Sequence, residues 1–168
     1  MTDDKQFKIF RAADAPMAAE TGCMHFEPFR DEVLPLLGQV QEAGVFNGAE
    51  ERLLVNLPGF SLLHVWFKHG YPLPLHSHDA DCLYYIVAGS IRLGTETLGP
   101  RDAFFVPANV PYTYTPGPEG VEALEFRHAT SFNFVNHANG LAFWQKALDT
   151  VTAKQGEWAS ATMPALNA

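Results

Sequence analysis

Between residues 51 and 128 the chain is a succession of short apolar runs, rich in β-branched and aromatic side chains and separated by Gly, Pro and Asn. Such runs favour strands, because branched and aromatic side chains pack well on a pleated, half-buried surface. The pattern predicts strands over 51–55, 61–69, 83–87, 90–93, 103–106, 112–114 and 121–128. Turns are expected at Pro58-Gly59, Ala88-Gly89, Gly99-Pro100 and Pro116-Gly117-Pro118, where proline removes a ladder donor and glycine opens left-handed backbone. The period changes after Asn139: Leu141, Trp144, Leu148 and Val151 recur at helical spacing. A helix over 141–155 is therefore predicted, its apolar face set against the β core or a partner subunit. Residues 31–43 suit a short helix with Pro35 in its first turn, and residues 1–30, interrupted by Pro16 and Pro28, read as irregular. One domain is expected, with an N-terminal extension over 1–50, a β core over 51–130 and a helical segment over 131–168.

Alternation also says which side chains share a face. On a strand His76 and His78 project from the same side, and two imidazoles held two residues apart make a chelating pair. If that side is the interior, Cys82, Tyr84 and Ile86 share the inward register of the next strand, and Tyr112 and Tyr114 that of a later one. The expected pocket is a histidine pair surrounded by phenols, a thiol and aliphatic groups, suited to a small, partly apolar or aromatic molecule. His64, on the strand before and on one face with Leu62 and Trp66, is a core or supporting histidine of that pocket. His128 ends the run that carries Leu124 and Phe126 and could reach inward.

Composition narrows the class. The 168 residues are enough for one sizeable core, and a net charge of −8 argues against a nucleic-acid partner, which needs clustered Lys and Arg. No apolar run is long enough to span a membrane, and the polar start, Thr2 to Lys8, lacks a signal-peptide core. Two cysteines, Cys23 and Cys82, make no disulfide framework. A cytoplasmic enzyme or binding protein is the expectation.

The spacing around the histidines resembles the first motif of the cupin superfamily: Gly, five residues, His-x-His, three or four residues, Glu, six residues, Gly. Gly70, His76, His78 and Gly89 meet its fixed positions, and Cys82 stands at the glutamate. A second, eroded motif follows, with Arg101 and Asn109 at glycine positions, Asp102 and Pro107 retained, and Tyr112 where the third histidine falls. The resemblance covers roughly residues 60–128. It implies an all-β jelly-roll barrel, carrying here a C-terminal helix and an irregular N-terminal extension. It also implies a divalent transition metal on His76 and His78 (Fe first, then Zn, Mn or Ni), with Tyr112, His128 or Cys82 as third ligand. A metal-dependent dioxygenase is the implied activity, with Tyr112 and Tyr84 as catalytic groups and Cys82, Ile86, Tyr114, Trp66 and His64 against the substrate. A non-catalytic small-molecule-binding cupin and a cupin isomerase or lyase are the alternatives. Cysteine dioxygenases, which are also cupins, carry a cysteine cross-linked to a tyrosine near the position of Cys82. Cupins commonly pair, so a homodimer is expected, with the Phe- and Pro-rich N-terminal segment and the Trp144 helix supplying apolar surface.

Overall fold

The computed structural model describes residues 7–165. Residues 2–6 of the polar start, expected to lack a signal-peptide core, and residues 166–168 lie outside the described residues. In chain order the elements are α1 (Ala18–Thr21), β1 (Met24–Phe26), α2 (Leu34–Glu42), β2 (Ala49–Leu57), β3 (Phe60–Phe67), β4 (His76–Ser77), β5 (Cys82–Leu93), β6 (Glu96–Leu98), β7 (Ala103–Val106), β8 (Thr115–Arg127), β9 (Phe132–Asn136) and α3 (Leu141–Ser160). The strands form two sheets. The larger runs β2-β3-β8-β5-β6, with β7 also paired to β5, and the smaller runs β1-β9-β4. One core lies between them, drawing Leu63, Val65 and Phe67 from β3, Tyr84 and Ile86 from β5, Val121 and Ala123 from β8, and Phe132 from β9.

The molecule is thus mostly β-sheet with a C-terminal helix, as the pattern predicts. The expected barrel is not closed by its ladders: among the described residues the two sheets stay separate, and the antiparallel bridge between His76 and Tyr112 ties the segment before β8 to β4.

Several boundaries differ from the sequence expectation for physical reasons. The predicted strands 83–87 and 90–93 are one strand, β5. Gly89 is not a turn but a kink within it, at φ +72°, where the register against β8 slips. A side chain there would meet the Gly120 carbonyl at 2.2 Å, so only glycine lets the two strands close at that point. Pro116-Gly117-Pro118 is likewise no turn; it opens β8, whose first residues pair only with the far end of β5, and proline is tolerated at the start of a strand. The expected strand 112–114 reduces to the single bridge at Tyr112. Strands β1 and β6, three residues each, are too short to register in a hydrophobic pattern, and β9 (Phe132–Asn136) is a strand that the pattern does not predict.

A helical layer caps one end. A single 3-10 turn, Asp31–Val33, leads into α2, with Pro35 in its first turn as predicted. Val33 and Val40 pack with Trp144, Ala147, Val151 and Trp158 of α3 in a second buried cluster. The helix runs past the predicted end at residue 155 because Trp158 is anchored, its indole N–H donating to the His69 carbonyl at 3.0 Å. Trp144 donates to the Ala138 carbonyl at 2.7 Å and is buried within its own chain. Its side chain is therefore spent on the intramolecular core, while Leu141 at the start of the same helix stays exposed. No helix among the described residues is long and apolar enough to cross a membrane.

Candidate functional site

His76 and Ser77 form β4 and His78 follows directly, and all three residues are buried. The loop carrying His78 is clamped to β9 by paired contacts: Asn133 N donates to Asp79 Oδ1, and Asp79 N donates to Asn133 Oδ1, both at 2.8 Å. Each imidazole is then oriented by its own backbone bond. His76 Nδ1 donates to the Pro74 carbonyl at 2.8 Å, and His78 Nδ1 to the Asn133 carbonyl at 2.5 Å. With the Nδ1 protons committed, each Nε2 keeps its lone pair. Burial, and the Arg127 guanidinium after it, lower His76 to about 4; burial, then Arg127, lower His78 to about 3. Both rings are neutral at neutral pH. They sit 5.0 Å apart by centroid, with His76 stacked on Phe134 at 4.7 Å and His78 edge-on to Phe132 at 5.1 Å.

Tyr112 is the direct cross-strand partner of His76, exchanging both backbone bonds with it, and its ring lies 4.4 Å from the imidazole. Its hydroxyl shares a hydrogen bond with that of Tyr84. Burial, followed by the nearby Glu125 carboxylate, raises both phenols well above the usual tyrosine value, so both are protonated. Tyr84 stacks on Phe104 at 4.4 Å and shares the inward face of β5 with Cys82 and Ile86, all three buried. The Cys82 thiol is pushed up to about 12, first by burial and then by Glu125, and is neutral. Both cysteines are free. Tyr114 is buried beside Phe67 and Phe104. The structure therefore brings together His76, His78, Cys82, Tyr84, Ile86, Tyr112 and Tyr114.

It does not bring in the rest. On β3 the buried residues Ser61, Leu63, Val65 and Phe67 face the core, which puts His64 and Trp66 on the opposite face. There His64 Nε2 lies 2.7 Å from Glu122 Oε1 and Lys68 Nζ sits over the Trp66 ring at 4.7 Å. His128 falls just past β8 and is exposed, since Val121, Ala123, Glu125 and Arg127 are the residues of that strand that point inward. The expected phase of this strand was off by one, and a one-residue slip exchanges its two faces.

That exchange installs what the sequence reading missed. Arg127, 1 % exposed, stacks its guanidinium 3.9 Å from the Phe132 ring centroid, reaches the Tyr84 hydroxyl through Nη2 at 3.4 Å, and places Nη1 2.8 Å from Glu125 Oε2. Its Nε and Nη1 are buried without a hydrogen bond of good geometry. Alternation alone could have found it, as Arg127 follows Glu125 on the face of Val121 and Ala123; a rule that places charges outside hides it.

The donor set fits a metal at two corners. The two neutral Nε2 atoms are ready ligands, but Cys82 is a protonated thiol at the family's glutamate position and Tyr112 a protonated phenol at its third histidine. Among the described residues no group of three or more His, Cys, Asp or Glu is placed to hold an ion.

No family model matches the chain, and no curated protein matches it in sequence. Solved structures do match. The polyketide cyclase RemF from Streptomyces resistomycificus aligns at 20 % identity and TM-score 0.51, over 62 % of this chain and 84 % of its own. KdgF from Halomonas sp. aligns at 23 % identity and TM-score 0.41, over 48 % and 80 %. An RmlC-like cupin from Shewanella frigidimarina aligns at 22 % identity and TM-score 0.43, over 48 % and 76 %. The chain has a cupin fold; likeness at these identities speaks to fold alone.

Proposed function

We propose that the chain is a cupin-fold enzyme that moves protons on a small, partly aromatic carbonyl compound, in a cyclase, isomerase or lyase type of reaction, with a divalent transition metal on His76 and His78. The observation that carries this reading is the pair of locked, neutral imidazoles opening onto a Tyr112–Tyr84–Arg127 chain of hydrogen-bond donors. At about 4 and about 3 the two histidines are poor general bases at neutral pH, whose effectiveness peaks when pKa and pH coincide. As ligands they are well suited, because no proton competes for Nε2. A metal bound there would supply a Lewis acid for a substrate oxygen. Protonated Tyr112 and Tyr84 hold their O–H groups toward the same region and stabilise negative charge developing on that oxygen, in a site where Phe104, Phe132 and Phe134 exclude water.

Two imidazoles with a carboxylate form the usual Fe(II) oxygenase triad. Among the described residues no carboxylate groups with this pair, which favours proton transfer over the dioxygenase reaction expected from the resemblance. The neutral Cys82 thiol favours a second reading, a non-catalytic cupin that binds a small molecule without a resident metal. Elemental analysis after reconstitution with Fe(II), Mn(II), Ni(II) or Zn(II) separates the two. One equivalent of metal is expected, lost when His76 and His78 are both replaced by Ala. Equal metal content in that double variant would overturn the metal's place.

A further inference from the structure

The inner face of the larger sheet carries a second set of polar groups that the histidine site does not use. Glu51 stands opposite Val65 in the β2–β3 ladder, and Val65 stands opposite Ala123 in the next. Directly opposed residues share a face. Val65 and Ala123 are buried in the core, so the Glu51 side chain turns inward with them. The charged and titratable groups facing it are Tyr71 from the segment after β3, Tyr114 from the segment before β8, and Glu125 and Arg127 of β8. Among the described residues no hydrogen bond or ion pair holds its carboxyl. The residue is only partly buried, and no such partner fixes its carboxyl; the Arg127 guanidinium, whose Nη1 lies 2.8 Å from Glu125 Oε2, keeps its Nε without an acceptor.

We infer that Glu51 is a catalytic acid–base on this inner face of the sheet, exchanging a proton with the α-carbon of a bound ketone. This rests on the proton-transfer reading above and names its substrate class, a ketone carrying an aromatic ring. In the first step the Glu51 carboxylate takes the proton. The C–H bond breaks, its electron pair forms the enolate, and the enolate oxygen accepts hydrogen bonds from the buried phenols. In the second step the new Glu51 O–H bond breaks and the proton returns to carbon, at the same position or at the one the reaction has made nucleophilic. Protons and electrons balance without an oxidant or reductant. The surroundings tune the group for this work: burial first, then the Glu125 carboxylate, outweigh Arg127 and push Glu51 up to about 7, near the pH where donor and acceptor forms are both abundant.

The test uses the metal-reconstituted protein and acetophenone in D2O, with loss of the methyl proton signal followed by NMR. Wild type should accelerate exchange with a pH profile governed by a group near 7. E51Q, which keeps the shape and removes the acid, should slow exchange by about 10²-fold or more, the usual contribution of one general acid–base. E51D should recover part of the rate with a displaced profile, and it serves if E51Q does not fold. In protein labelled at the glutamate carboxyl carbons, one resonance should titrate near 7 and vanish in E51Q. Wild-type rate and profile in E51Q would overturn the role of Glu51 alone, leaving the histidine reading to the His76→Ala/His78→Ala variant. No exchange by wild type would overturn both.

Discussion

Arg127 is kept in the core by a carboxylate and an aromatic ring, Glu125 at 2.8 Å and Phe132 at 3.9 Å. Removing one partner of a buried pair leaves the other charge uncompensated, at a cost of about 3–5 kcal/mol, whereas removing both with well-packed apolar groups can be nearly neutral. Arg127→Met should therefore lower the stability to urea by that order, and Arg127→Met with Glu125→Leu should restore most of it; additive losses in the double variant would contradict the pairing. Tyr112 tests the neighbouring contact. Tyr112→Phe removes one hydroxyl bonded to Tyr84, so stability should fall by about 1 kcal/mol. With the phenol protonated, metal content should stay while the exchange rate drops; loss of metal would instead make Tyr112 a ligand. At this scale the histidine pair and the Cys82, Tyr84, Ile86 register were legible, because period-two alternation is strict within one strand. Glu125 and Arg127 share the face that alternation gives from Val121 and Ala123, but a rule that places charges outside hides them; the inward turn of Glu51 depends on its pairing with β3, which no local pattern records.

Elements show how the eroded second motif is kept. Arg101 and Asn109 occupy positions where the family has glycine, and both hold left-handed backbone, at φ +78° and +63°. Left-handed backbone stands at both positions without the residue best suited to it. Asn tolerates that region; for Arg it costs about 1–2 kcal/mol, partly offset by the entropy that glycine adds to the unfolded chain. Arg101→Gly should then be stabilising by up to about 1 kcal/mol, contrary to the usual effect of a new glycine. Gly89 is the opposite case. Gly89→Ala meets both an unfavourable φ and the Gly120 carbonyl, and should destabilise by at least about 2 kcal/mol. Thermal melts of the two variants moving in the same direction would contradict this account. Glycine and proline marked where the chain is special, but not whether it turns there or kinks within a strand; pairing of β5 with β8 decides that, and it is a long-range property.

For the whole molecule, two quantities follow from how surfaces and charges are distributed. The outer face of the larger sheet carries Leu83, Tyr85 and Phe105, between 42 % and 58 % exposed, with Leu83 directly opposite Phe105. The N-terminal segment exposes Phe7, Ile9, Phe10 and Phe26 as well; we propose that the chain pairs through the sheet face, so light scattering should give twice 18.6 kDa and drop to the monomer in Leu83→Glu. Stability against pH reads the interior instead. Glu51 binds its proton more tightly folded than unfolded, so its contribution is complete below about 4.5 and is lost as pH rises to about 7. His76 and His78 bind theirs less tightly folded, so their contribution is complete above about 6.5 and is lost as pH falls toward about 4 and about 3. Between 4.5 and 6.5 two histidines work against one glutamate. The urea midpoint of the metal-free protein should therefore rise with pH to a maximum near 6.5 and decline slightly to 7. In E51Q the decline should vanish and the rise between 4.5 and 6.5 should steepen, because only the histidine limb remains. A variant curve parallel to wild type across that window would mean that Glu51 does not titrate inside the folded protein.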